Sequence, residues 1–313
     1  MRDEFLWVEK YRPKTVEDTI LPTNLKETFQ TFVEQGNIPN LILSGGAGIG
    51  KTTIARAMLE QLQCDYIVIN GSMNGNIDTL RNEIMLFASS VSLQGGRKYV
   101  ILDEADYLNA NSTQPALRNF MEEFSSNCGF ILTCNFKNRI IEPLHSRCSV
   151  IDFSFTKEDK AVMAQQMFKR VLNILGTENI TFDKMAVVEV VKKYFPDNRR
   201  ILNELQRYAA TGSIDSGILA NFKDATINDL IKHLKEKDFT SMRKWVANNS
   251  DVESTELYRQ IYDTCTNFMP TSAIPQLVLT LADYQYKAAF VADHEINTTA
   301  CLTEIMINCE FGS

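Results

Sequence analysis

The polar and apolar positions of this 313-residue chain change their spacing near its middle. In the first half, short apolar runs alternate with stretches of helical spacing. Leu41-Ile42-Leu43, Tyr66-Ile67-Val68-Ile69, Lys98-Tyr99-Val100-Ile101-Leu102, Phe130-Ile131-Leu132-Thr133 and Val150 to Phe153 read as strands. Between them, Leu25 to Glu34, the segment from Thr53 on, Ile77 to about Ala88, and about Thr113 to Phe124 read as helices. Strands alternating with helices predict a parallel α/β sheet of five strands. Pro115 belongs in the first turn of its helix, which moves the expected start a residue or two past Thr113. From Lys157 onward only helical spacing remains: about Lys157 to Leu175, Asp183 to Tyr194, and Arg199 to Ala210. Phe195-Pro196 breaks the last two, with Asp197 or Asn198 as the N-cap. Gly212 to Gly217 reads as a hinge, and further helices, interrupted at Pro270 and Pro275, complete the chain.

Composition bounds the class. With 44% hydrophobic residues the chain can bury large cores and divide into two or three domains. The start, MRDEFLWVEKYRP, carries charges where a signal peptide needs an apolar stretch, and no run approaches a membrane span, so a cytoplasmic protein without membrane contact is expected. Seven cysteines without a C-x-x-C pair argue against a disulfide framework and a zinc site, and three scattered histidines supply no metal or triad constellation. The net charge of −7 is spread evenly: 14 basic against 18 acidic residues up to Phe155, then 18 against 21. Nucleic acid, if bound, must therefore meet a local basic patch.

The chemistry is concentrated after the first strand. Gly45-Gly46-Ala47-Gly48-Ile49-Gly50-Lys51-Thr52 fits G-x-x-x-x-G-K-[ST] in its strand-turn-helix context. Glycines let the backbone curl so that its N–H groups point at phosphate oxygens, and the helix that follows, through Thr53, adds the positive end of its dipole. Lys51 supplies a mobile cation for the β- and γ-phosphates, and the Thr52 hydroxyl a ligand for Mg²⁺. A dinucleotide fingerprint fails, because Lys51 stands where a third glycine belongs. The third strand delivers Asp103-Glu104-Ala105-Asp106 to its end. There Asp103 suits the Mg²⁺ shell, and Glu104 suits a general base polarising the attacking water. The fourth strand ends at Asn135, beside that pair if the strands are neighbours.

These segments, with Ser146-Arg147-Cys148, Asp197-Asn198-Arg199-Arg200, Glu9-Lys10-Tyr11-Arg12-Pro13 and the stretch Gln114 to Glu122, stand in the order and spacing of AAA+ clamp-loader ATPases. The sequence resembles that family along its whole length. Ile20-Leu21-Pro22, Phe195-Pro196-Asp197 and Ser213 to Gly217 are similar to its large subunits from T-even-type bacteriophages. The resemblance implies a AAA+ P-loop domain over 1–155, a helical lid over 156–222 and an all-helical collar over 223–313. It implies an ATPase in a circular pentamer of its own copies with a small clamp-loader subunit, placing a sliding clamp on primer-template DNA in the host cytoplasm.

By the same resemblance Arg147 is an arginine finger for a neighbouring subunit's ATP, and Asn135 the first sensor. Arg199, or alternatively Arg200, is the second sensor. Asn70 holds Glu104 idle, and Tyr11, Arg12, Pro13 and Ile20 form the adenine pocket. Arg81 and Lys137 are candidate DNA contacts, and Tyr107 and Leu108 a candidate clamp-docking patch. Cys148 reads as a small apolar filler rather than a redox group. Alternatives are another AAA+ DNA-remodelling ATPase such as a helicase loader or branch-migration motor, a non-catalytic subunit of the same ring, and a stand-alone P-loop kinase or GTPase.

Overall fold

A computed structural model describes residues 5–73, 77–92, 95–210, 212–214, 227–249, 254–266 and 268–311. The chain forms two compact units, Met1–Ser216 and Gly217–Ser313. The first is built on five parallel strands, β1 (Leu41–Ser44), β2 (Tyr66–Asn70), β3 (Lys98–Asp103), β4 (Cys128–Cys134) and β5 (Ser149–Asp152), in the order β2-β3-β4-β1-β5. Alternate side chains of the central strands enter two separate cores. Ile42, Ile69, Val100, Leu102, Phe130 and Leu132 pack beneath α4 (Ile77–Ser89) and α5 (Thr113–Glu123), through Ile84, Leu117 and Phe120. Leu41, Leu43, Tyr99, Ile101 and Ile131 face the other way, onto α2 (Thr23–Glu34) and α3 (Lys51–Gln61), through Phe29, Ile54 and Met58. Helices thus cover both faces, the arrangement a parallel sheet requires.

Helix α5 begins at Thr113, so Pro115 falls in its first turn without moving the start. The adjoining Gln114, 1% exposed, ties three loops together. Its side-chain amide donates to the carbonyls of Leu108 and Arg139, each at 3.0 Å, and accepts from the Ile141 N–H at 2.8 Å.

Two single-turn helices, α1 (Trp7–Lys10) and α6 (Glu142–His145), precede α2 and β5, and after β5 come α7 (Lys157–Thr177), α8 (Lys184–Tyr194) and α9 (Asn198–Ala209). Asp197 caps α9 by accepting the Arg200 N–H at 2.9 Å. Helical spacing is not the whole account of this region. Thr181–Phe182 and Ser213–Ile214 pair as two short parallel strands, and a two-residue strand is too short to impose a period-2 pattern on a sequence. Ser213–Ile214 therefore is a strand within the expected hinge; Asp215, Ser216 and Gly217 lie outside the described residues.

The second unit contains helices Ile227–Lys235, Phe239–Asn248, Ser254–Cys265, Ile274–Ala288 and His294–Asn308 around a core that includes Leu230, Met242, Trp245, Ile261, Leu277 and Leu302. Among the described residues, no helix is long and apolar enough to cross a membrane.

Replacing Gln114 by leucine would leave two carbonyls and one N–H of this partly buried junction without partners. Each such group costs about 1–3 kcal/mol, so Gln114→Leu is expected to lower the stability of the first unit by about 3 kcal/mol or more in urea unfolding. A loss under about 1 kcal/mol would show that water reaches the junction.

Candidate functional site

Parallel sheets bind ligands outside the carboxyl ends of their strands, and here the turns after β1, β3 and β4 meet in one pocket. Tyr11, Arg12, Pro13, Ile20, Ala47, Gly48, Ile49, Gly50, Lys51, Thr52, Thr53, Asp103, Glu104, Asn135 and Arg199 all line it. Gly45 and Gly46 face Lys51 through their carbonyls, which accept from its Nζ at 2.7 and 2.6 Å. Arg147, Arg81 and Lys137 are not among the lining residues.

The turn after β1 needs glycine at Gly48, where φ is +67° and an added Cβ would lie 1.7 Å from Asp197 Oδ1. The Gly48 carbonyl in turn accepts the Asn198 N–H at 3.0 Å, so the first residue of α9 is bonded to the glycine turn. Lys51 reaches Asn135 Oδ1 at 3.0 Å, and burial lowers its ammonium pKa below the usual lysine range. Asn135 is itself fixed from below. Asp106, only 6% exposed, accepts the N–H groups of Asn135 and Phe136 at 3.1 Å each through Oδ2.

One oxygen joins the three turns. Asp103 Oδ1 accepts the Thr52 hydroxyl at 2.6 Å and the Thr133 hydroxyl at 2.5 Å. Thr133 Oγ1 also accepts the Glu104 N–H at 3.2 Å. The register explains the contact: Leu102 pairs with Leu132, so the next residues, Asp103 and Thr133, emerge side by side. Glu104 has φ of +56°, a left-handed conformation that costs a non-glycine residue free energy and occurs where the surroundings hold it. Gly71 is part of that surround. A Cβ there would lie 2.6 Å from the Glu104 carbonyl oxygen.

Several expected residues stand apart. Asn70 Oδ1 accepts from Ser72 N and Oγ at 2.8 and 2.7 Å; among the described residues it makes no hydrogen bond to Glu104. Leu108 is 4% exposed and packed in the core, so it is no part of a docking patch, whereas Tyr107 is 57% exposed. A docking patch needs Leu108 at the surface, but the loop that carries it folds inward over Gly71. Lys137 pairs with Asp152 at 2.6 Å. Arg81 is exposed on α4. Arg200 lies 4.6 Å from the Tyr194 ring, while Arg199 lines the pocket. Cys148 packs beside Met121, and burial pushes its thiol up to about 12, so it is an inert filler.

Sequence reading placed Thr133 in a strand and Asp106 in the acidic motif without a role for either, and did not reach Met167 or Arg170. A lone hydroxyl near the end of a fully buried strand was the available signal for Thr133. Met167 and Arg170 line the pocket from α7, and Arg170 donates to the Asp18 carbonyl; only the tertiary fold brings them there.

A glycine-turned cradle with its lysine, an acidic pair and a polar strand end, joined on a five-stranded parallel sheet and followed by a helical lid, define a AAA+ nucleotide-binding ATPase. Residues 41–155 match the model of the "ATPase family associated with various cellular activities (AAA)", and residues 159–220 that of the "Sliding-clamp-loader large subunit, AAA+ ATPase lid domain". The sliding-clamp-loader large subunit of Escherichia phage RB69 is 40% identical over 82% of this chain and 84% of that protein. The large subunit from Enterobacteria phage T4 is 39% identical over 90% of each. A replication factor C small subunit of Halobacterium salinarum is 31% identical over 97% of each. Among solved structures, the Thermotoga maritima RuvB Holliday junction branch migration motor aligns with a TM-score of 0.53 at 16% identity, over 80% of this chain and 85% of that one, a likeness of fold alone. The chain belongs to the sliding-clamp-loader large-subunit family. It is an ATPase of DNA replication.

Thr133→Val keeps the side chain's shape and removes both of its hydrogen bonds. It is expected to lower ATP turnover by about 10- to 100-fold, as loss of supporting contacts around a site commonly does, and to cost about 1–3 kcal/mol in urea unfolding, because the Glu104 N–H loses its acceptor. Turnover within twofold of the parent would show that Thr52 alone positions Asp103.

Proposed function

We propose that this chain is the ATP-hydrolysing subunit of a ring that opens a sliding clamp and places it on primer-template DNA. The observation that carries the reading is the joining of Lys51, Thr52, Asp103, Glu104 and Asn135 in one pocket that also contains Tyr11, Arg12, Pro13 and Ile20. The glycine turn and Lys51 would cradle the phosphates of ATP. Thr52 and Asp103 present hard oxygen donors 2.6 Å apart, a donor set suited to Mg²⁺, and would hold that ion, which neutralises phosphate charge when bound. Glu104 would accept the proton of the attacking water, and Asn135 would orient that water. Arg199 is favoured over Arg200 as the second sensor, since it lines the pocket from α9. At the far end, Tyr11, Arg12, Pro13 and Ile20 would receive adenine.

On this reading the groups that would hold nucleotide, Lys51 and Arg199 among them, sit in one chain, and one further task, a cation on the oxygens that gain charge, is met from outside it. We assign that task to Arg147 acting on the next copy in the ring, because a guanidinium stays charged and its fork spans the oxygens that gain charge. Residues 1–155, 156–222 and 223–313 would serve as ATPase, lid and collar domains, with a small clamp-loader subunit completing a pentamer in the host cytoplasm. DNA would be met through backbone phosphates, with exposed Arg81 the better candidate, since Lys137 shares its charge with Asp152. Tyr107 remains a candidate contact for the clamp.

ATP turnover by the purified chain with its small subunit is expected to rise when clamp and primed DNA are added together. No stimulation would favour another AAA+ remodelling role. In mixtures with intact protein, Arg147→Ala is expected to lower turnover at adjacent sites by about 10³-fold while its own ATP affinity holds. Equal loss of binding at its own site would refute action in trans.

A further inference from the structure

Arg147 is already engaged within its own chain. Its Nε donates to Glu122 Oε1 at 2.8 Å, and Nη2 donates to the same oxygen. On the other edge Nη1 donates to the Pro143 carbonyl at 2.9 Å and to the Ser146 hydroxyl at 3.2 Å. A guanidinium has five N–H groups in a fixed plane, and these contacts occupy all three of its nitrogens. Its Nε–Nη2 edge is committed to Glu122, so carrying that edge to a phosphate on another molecule requires releasing the carboxylate.

Glu122 has a second cation within reach. Arg118, one turn earlier on α5, places its Nε 3.9 Å from the same Oε1. Both of those side chains are about half exposed, and that of Arg147 is 31% exposed. Ion pairs this open to water are weak and exchange readily. When Arg147 leaves, Glu122 keeps a positive neighbour.

We infer that Glu122 restrains Arg147 within the single subunit, and that assembly trades this contact for the nucleotide of the adjoining copy while Arg118 takes over Glu122. The inference rests on the proposed role of Arg147 as a finger in trans. It has a thermodynamic consequence. If only the fraction of chains with a free Arg147 can complete the interface, the apparent affinity of assembly is reduced by that fraction. Removing the carboxylate then tightens assembly. Removing Arg118 weakens it, because Glu122 is left to Arg147 alone, and that weakening needs Glu122 to be present. A merely structural pair would not give opposite signs at its two ends.

The test measures assembly of the full chain with its small subunit by sedimentation across a concentration series, in a non-hydrolysable ATP analogue. Glu122→Gln is expected to lower the assembly midpoint by about two- to fivefold, the range open to an exposed pair, with saturated ATP turnover unchanged. Arg118→Gln should raise the midpoint, and the double variant should match Glu122→Gln alone. An unmoved or raised midpoint for Glu122→Gln, a lower saturated turnover, or an Arg118→Gln effect that persists without Glu122 would each overturn the inference. Normal turnover in Arg147→Ala mixtures would remove the finger reading and this inference with it. Silenced mixtures together with an unmoved Glu122→Gln midpoint would remove the restraint alone.

Discussion

The site depends on one carboxylate oxygen, Asp103 Oδ1, to which two hydroxyls donate, one from the first turn of α3 and one from β4. Thr52 brings the glycine turn and the start of α3, and Thr133 brings the end of β4. Without that oxygen the cradle and the acidic pair would sit on turns able to shift separately, and phosphoryl transfer tolerates little misplacement. The bond also accounts for the backbone of Glu104. A left-handed glutamate costs of order 1–3 kcal/mol, and here the Thr133 hydroxyl accepts its N–H while Gly71 leaves room for its carbonyl. The strain is held in place by a fully buried strand rather than by a loop.

A second set of contacts ties the lid helices to the pocket. Asn198 donates to Gly48. The N-terminal arm, which supplies one wall, is bonded to the lid in several places. Gln206 accepts the Trp7 N–H at 3.0 Å and donates to the Phe5 carbonyl at 2.7 Å, and Glu178 accepts from Lys10 and Tyr11 at 2.7 and 2.5 Å. The Glu178 carboxyl is held below the usual carboxylate range by those two donors. Movement of α7 or α9 would therefore carry Tyr11 and its neighbours along, which couples the wall proposed for adenine to the arginine proposed as second sensor.

Much of this was legible in the sequence, because the informative residues are governed by local rules. A glycine turn before a lysine, an acidic pair after an apolar run, and an aspartate before a helix each state their chemistry within a few positions. The five strands were visible for the same reason. What was hidden depends on register and on which way a loop folds. Thr133 matters because it pairs across from Asp103, a fact of strand alignment that its own sequence context does not carry. Leu108 looked like a surface residue until the loop closed over Gly71. Thr181–Phe182 and Ser213–Ile214 were too short to leave a pattern, and Glu122 belongs to an ordinary amphipathic helix until the fold brings Arg147 beside it.

The central claim is that one chain can hold ATP but needs a neighbouring chain to split it. The most direct measurement is the ATP turnover rate per chain as the protein is diluted below the concentration at which it assembles, with nucleotide occupancy followed in the same samples. The account predicts that the per-chain rate collapses while nucleotide remains bound. A rate per chain that stays constant on dilution would contradict it.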